Sequence, residues 1–332
     1  MVQLRARAHR LSSSITPRGP GCELRGDGTS RPASGIKRRG TLFVALGMAL
    51  ALGCAGAKGK EEGDGFYPDE GPESSADKHY KVALGSFHNG LFDDARVQLQ
   101  RALAGDPHHG PSRYLEGLLY LREGKTMLDA IETEMCLTDA SSDLQRDRVD
   151  QLHRKAHASF NASLEGFEDK EAGRGRALNS MAVVSMYFHE WDRAIEEASG
   201  ALTADFYGER FSALANLGWA YHQRGDKVEA MTELRQSVLL NPDFCVARYR
   251  LSQVYLDLDM AEQALEEIER VVLDERCPIQ DAQRVYGVAA LRVGDAPTAS
   301  NGFESCIQMA PRSCLADECA EYMELASNTV AP

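Results

Sequence analysis

The chain has 332 residues, 43% of them hydrophobic, and a formal net charge of −13, which suits two ordinary domains or one elongated repeat array. Residues 1–40 hold nine Lys/Arg against Glu23 and Asp27, whereas everything from Cys54 onward carries 28 basic and 48 acidic side chains. So acidic a surface repels phosphate backbones and anionic lipid and argues against nucleic acid as a partner, although acidity also serves plain solubility.

In chain order, Lys37-Arg38-Arg39 precede an uncharged run from Thr41 to Gly53, and Cys54 follows. Those thirteen residues rise only about 20 Å as a helix, short of the roughly 30 Å hydrocarbon core. A basic stretch, a short apolar run and small residues before a cut mark residues 1–53 as a secretory signal. Leu50-Ala51-Leu52-Gly53-Cys54 resembles a bacterial lipobox, although Ala51 and Leu52 depart from its commonest form. That resemblance implies a lipid on Cys54 and, with Ala55 next, sorting to the outer membrane. Residues 1–36 are longer than a usual leader, as expected of a start codon assigned too early. Residues 54–76 are rich in Gly, Lys, Glu, Asp, Pro and Ser and read as an acidic flexible linker. About 20 such residues reach near 25 Å.

From residue 77 the pattern is helical and repetitive. In Phe211–Pro242, Leu214, Leu217, Gly218 and Tyr221 share one face of a first helix, and Gly225-Asp226 make the turn. Ala230, Leu234 and Val238 share a face of the second. Gly218 and Ala230 are small because the two helices cross there. The alanine after the turn recurs at Ala194, Ala230, Ala264 and Ala299, at spacings of 36, 34 and 35, and Ala182, Gly218, Ser252 and Gly287 repeat the small residue. This pattern resembles the tetratricopeptide repeat and implies an all-α solenoid of helix-turn-helix hairpins with a C-terminal capping helix over Leu315–Leu325. Residues 77–140 read as N-terminal hairpins, 141–173 as a degenerate repeat or bridging helix, and 174–326 as the main array. In the bridge, Leu144, Val149, Leu152, Ala156, Phe160 and Leu164 make one stripe.

Beyond Cys22 and Cys54 six cysteines remain, an even number that fits disulfides in an exported chain. Cys245 opens a hairpin that Cys277 follows, and Cys306 precedes the capping helix that carries Cys319, so Cys245–Cys277 and Cys306–Cys319 are the expected pairs. Cys314 competes for Cys306, and Cys136 is expected free and buried. His108 and His109 fall in a turn expected to be solvated. His153 and His157 lie four apart on the bridge, with two cations between them, and read as a half-exposed, unliganded pair. The chain has no phosphate loop, nucleophile elbow, paired-carboxylate signature or Cys-x-x-Cys, so neither an enzyme nor a metal or cofactor is expected.

Binding remains. First helices of stacked hairpins line a concave groove. One stripe read off them gives Asn179, Val183, Met186, Tyr187, Ala215, Trp219, His222, Tyr249, Gln253 and Leu256, with Arg284, Val288 and Leu291 beyond. Aromatic and methionine side chains on such a face suit an extended peptide or a helix, although as inter-helix core they need no partner. The runs Ala213-Leu-Ala-Asn-Leu-Gly-Trp-Ala-Tyr221, Asn241-Pro-Asp-Phe-Cys245, Cys277-Pro278 and Phe303-Glu-Ser-Cys306, with the lipobox, resemble the type IV pilus biogenesis lipoproteins of the PilF/PilW/Tgl kind. The resemblance implies a pilotin that helps place or multimerise the secretin PilQ, held to the membrane by its lipid. Residues 76–173 depart from that family's compact layout. A scaffold lipoprotein of another envelope assembly complex is the alternative.

Overall fold

The computed structural model describes residues 73–330 except 135, 137–139, 170 and 206. The signal region, Cys54 and most of the linker therefore lie outside the described residues.

Among the described residues there is no strand, and thirteen α-helices follow one another. The first two hairpins are α1 (Ser75–His88) with α2 (Phe92–Gly105), and α3 (Gly110–Asp129) with α4 (Ala140–Ser163). Four more follow: α5 (Ala172–Tyr187) with α6 (Trp191–Ala201), α7 (Arg210–Arg224) with α8 (Lys227–Leu240), α9 (Cys245–Asp257) with α10 (Ala261–Val272), and α11 (Gln280–Val293) with α12 (Ala296–Met309). The single helix α13 (Cys314–Val330) closes the array. No helix among the described residues is long and apolar enough to cross a membrane.

Local chemistry sets the ends. Ser74 accepts from the Asp77 amide while Asp77 reaches back to the Ser74 amide, a capping box that starts α1. Gly225 ends α7 at φ 106°, in the left-handed region where a Cβ is unfavourable. At the corresponding turn of the next hairpin Asp259 adopts φ 59° without that freedom.

The hairpins close on small residues. A Cβ on Gly218 would lie 2.7 Å from Leu234 Cγ and 3.0 Å from the Ala230 carbonyl oxygen. One on Gly287 would lie 2.5 Å from the Phe303 ring, and one on Gly117 would lie 2.5 Å from Phe160. Leu234, Phe303 and Phe160 thus occupy volume that a side chain opposite would claim, and all three are fully buried. One apolar core runs unbroken from α7 to α13, and a smaller one joins α1, α2 and α3.

The α3–α4 hairpin departs from the repeat. Its helices have 20 and 24 residues, against 11 to 17 elsewhere, and α3 runs into a π-helical turn, Ala130–Glu134. Gly117 meets Phe160 and Gly124 meets His153, so α4 lies antiparallel along α3 as its second helix. Val149, Leu152, Ala156 and Phe160 are buried as the stripe requires, but Leu144 is 76% exposed. It lies near the start of α4.

Three disulfides join the six cysteines. Cys245 pairs with Cys277, 32 residues on, and Cys306 with Cys319, 13 residues on. Cys136 is neither free nor fully buried: it pairs with Cys314, 178 residues away. Cys314 therefore does not compete for Cys306. The expectation failed because repeat spacing reports which neighbours stack, whereas this pair joins elements 178 residues apart.

Gly218→Val is expected to destabilise the fold by about 3 kcal/mol through overpacking, and Gly225→Ala by roughly 1 kcal/mol through a left-handed Cβ. Urea unfolding of each variant measures both.

Candidate protein-binding face

Stacking sets the first helices α5, α7, α9, α11 and α13 side by side. Their shared face is knit by polar side chains rather than left open. Asn216 donates to Asn179 Oδ1 at 2.9 Å, and Asn179 donates to Ser212 Oγ at 3.2 Å. The Arg250 guanidinium donates to Asn216 Oδ1 at 2.8 Å and to the Ala215 carbonyl, and lies 5.6 Å from the Trp219 ring. Asn179, Asn216 and Arg250 are all buried, so each bond replaces water that burial removed.

The chain of contacts continues toward the C-terminus. Asp281 accepts from the Tyr249 hydroxyl, from Gln253 Nε2 at 3.3 Å and from Arg284 Nε at 2.5 Å, and Glu318 stands 4.0 Å beyond. Burial, joined by the Asp281 carboxylate, pushes the Tyr249 phenol well above the ordinary tyrosine value. Burial works against the charge of Arg284, yet the Asp281 carboxylate outweighs it and raises the guanidinium pKa. The arginine therefore stays charged and fixed.

The predicted stripe is less open than a bare groove. Asn179, Met186, Trp219, Tyr249 and Leu256 are buried, with Trp219 and Tyr249 each 5% exposed, while Val183, Tyr187, His222 and Gln253 are half-buried. Met186 packs with Trp219 in one cluster that Val183 joins. Tyr187 stacks on His153 of α4 at 3.9 Å between ring centroids and donates to Asp150 at 2.6 Å. His222 pairs with Asp257 at 2.8 Å. Gln253 holds Asp281 through its amide nitrogen, and its Oε1 is buried with no protein donor. An incoming N–H would recover the roughly 1–3 kcal/mol that an unmet buried acceptor costs.

The histidines serve structure. His108 is exposed and pairs with Glu165, but His109 is largely covered, bonded to Ser112 Oγ at 2.7 Å and Asp77 at 3.1 Å. It ties α3 to α1 instead of lying in a solvated turn. His153 is buried and bonds the Val149 carbonyl, whereas His157 reaches Glu197 on α6 at 2.9 Å. The pair is thus more covered than its spacing implied, and its members serve different partners.

Asn216, Arg250, Asp281 and Glu318 escaped the sequence reading. Asn179, Asn216 and Arg250 recur at 37 and 34 residues, and a polar residue repeating at the array's own period within an apolar face was the signal that could have found them.

Residues 181–242 match the tetratricopeptide repeat family model. Among solved structures, PilF of Pseudomonas aeruginosa is 17% identical with a TM-score of 0.53, covering 74% of this chain and 97% of its own. PilW, a widely conserved type IV pilus biogenesis factor, is 15% identical with a TM-score of 0.57, covering 75% and 100%. The APC/C hetero-tetramer Cut9–Hcn1 gives a TM-score of 0.59 at 14% identity, covering 78% of this chain but 43% of that one. No curated protein matches the sequence. At such identities the likeness establishes the fold, a tetratricopeptide-repeat solenoid. That fold is ordinarily a non-catalytic scaffold that binds proteins, and no enzymatic family is indicated.

Trp219→Ala is expected to cost about 3–5 kcal/mol, as for other buried large aromatics, readable as a lower urea midpoint. Burial also holds the His153 imidazole below its ordinary value near 6.5. Its contribution to stability is full above that value and is lost as acidification proceeds toward the lowered one, because the unfolded chain then binds more protons. Melting temperature should fall from pH 7 to pH 5, and His153→Phe should flatten that slope.

Proposed function

We propose that the protein is an outer-membrane lipoprotein, tethered through Cys54 on the periplasmic face, that acts as a pilotin. Its inner helices hold a segment of the type IV pilus secretin PilQ and assist that secretin's assembly or localisation. The carrying observation is that PilF and PilW are matched over 97% and 100% of their own lengths. At 74% of 332 residues the PilF match spans about 246 positions, too many for 174–326 alone. It therefore extends beyond the main array into the N-terminal hairpins. The lipobox ending at Cys54 and the acidic linker supply an anchor and a reach of about 25 Å.

The inner face supports capture rather than chemistry. Asp281 and Arg284 neutralise each other in place and Arg250 is met by amide and carbonyl oxygens, which leaves half-buried His222, Gln253, Val183 and Leu291 to meet a partner. A preorganised face of this kind loses little entropy when a segment docks. The alternative is a scaffold lipoprotein of another envelope complex, since a likeness as strong to Cut9–Hcn1 of the APC/C means that the fold alone does not select the pilus. Neighbouring genes for pilus components would separate the two.

Deleting the gene is expected to abolish surface pili and leave PilQ monomeric; normal heat-resistant multimers in the deletion strain would remove the pilotin role. Gln253→Arg, which fills the inner face from a half-buried position, should reduce PilQ capture at least tenfold with helicity unchanged. Undiminished capture places the contact elsewhere.

A further inference from the structure

We infer that Cys245, Cys277 and Asp274 form a zinc site in the reduced chain, where the Cys245–Cys277 bridge is open. Their ligand atoms, two sulfurs and a carboxylate oxygen, lie within 4.8 Å of one another. Among the described residues no other three Cys, His, Asp or Glu side chains converge so closely. Cys245 opens α9, while Asp274 and Cys277 stand on the loop from α10 to α11. No Cys-x-x-Cys spacing announces the site, because packing of successive hairpins brings its ligands together.

Two thiolates and a carboxylate are a donor set that tetrahedral Zn2+ accepts. With Zn–S near 2.3 Å, two sulfurs of such a tetrahedron stand about 3.8 Å apart. Bonded sulfurs stand about 2.0 Å apart, so the ion requires them to separate by roughly 2 Å. Across a Cα–Cα distance of 5.9 Å, rotation about the two Cα–Cβ bonds supplies that separation. The remaining position is open to water. A cleft lined by the three ligands with Pro242, Arg248 and Arg270 lies against the bridge, and Cys245 and Asp274 are only half-buried.

The bonds around Asp274 orient it as metal ligands are oriented by the groups behind them. The Cys277 amide donates to the Asp274 carbonyl at 2.8 Å, which fixes the turn that carries both residues. Arg276 donates its amide to Asp274 Oδ1 at 2.9 Å and its Nη2 to Oδ2 at 2.7 Å. Those bonds hold the Asp274 carboxyl below its ordinary pKa, so it is ready as an anion. Charge balances as well. Two thiolates and a carboxylate exceed the charge of Zn2+ by a single negative unit, and the Arg276 guanidinium offsets it. Arg248 and Arg270, which also line the cleft, are paired with Glu267 and Glu266.

A dithiol opens the bridge. Its thiolate attacks one sulfur while the other cysteine leaves as a thiolate, and its second thiol then resolves the mixed disulfide. The reagent ends as a disulfide, and Cys245 and Cys277 end as thiols. Zn2+ displaces their two protons to solvent, with no change of oxidation state. Bridge and ion thus tie the start of α9 to the loop before α11 in two chemical states. Neither state requires any part of the pilotin role.

The test reduces the full-length protein with dithiothreitol, removes the reagent under nitrogen and titrates in Co2+ alone as a coloured stand-in for Zn2+. One equivalent should give thiolate-to-cobalt charge-transfer absorption and the visible bands of a tetrahedral ion, with helicity retained. An equivalent of Zn2+ should bleach both, and the oxidised protein should show neither. Cys245→Ser/Cys277→Ser should abolish the bands. Asp274→Asn, which leaves both sulfurs in place, should weaken Co2+ binding about tenfold or more. Absence of the bands after reduction, or loss of helicity on reduction, would overturn the site. So would bands undiminished in the serine double variant or Co2+ affinity unchanged in Asp274→Asn.

Discussion

Two helices can lie against each other at the close spacing of this array only where one of them carries a small side chain or none, and a bulky residue beside a glycine gap then fills it. Gly218 faces Leu234, Gly287 faces Phe303, and Gly117 faces Phe160. Each contact fixes the depth at which one hairpin closes, and hairpin depth sets how the next one stacks. The long core from α7 to α13 is that local rule repeated. Stability in such an array is approximately a sum of units and nearest-neighbour interfaces. Damage at one crossing therefore propagates mainly to adjacent hairpins.

The same stacking brings the inner helices close enough for side chains to cross between them, and there apolar filling gives way to hydrogen bonding. Asn179, Asn216 and Arg250 form one ladder, and Tyr249, Asp281 and Arg284 a second. A buried arginine without a carboxylate or amide to meet it would cost several kcal/mol. These groups therefore support one another or none is tolerable. The result is a stiff inner surface whose central residues are committed to the fold. Beside them His222 and Gln253 remain half-buried rather than covered. Trp219, conspicuous in the sequence, belongs to the framework beneath them.

A long-range disulfide adds a constraint of a different order. Hairpin stacking alone leaves the two ends of an array free to twist, and the 178-residue span between Cys136 and Cys314 removes that freedom. In the chain-entropy description, a covalent tie over so long a loop restricts the unfolded chain more than a short one does. The elongated α3–α4 hairpin, an irregularity as a repeat, carries Cys136 just past its π-helical turn, where it meets Cys314 at the start of α13.

The repeat itself was legible because it is a local property. Small residues spaced near 35, turn glycines such as Gly225 and apolar stripes such as Val149 to Phe160 each reflect contacts between residues close in sequence, and those contacts leave a period. The partnership of α4 with α3 and the commitment of Trp219 and Tyr249 to the core depended on distances between successive helices, which the period limits without fixing. The Cys136–Cys314 bridge left no periodic trace. It follows from the accumulated curvature of four hairpins, where small rotations at each interface add, and only the assembled tertiary structure carries their sum.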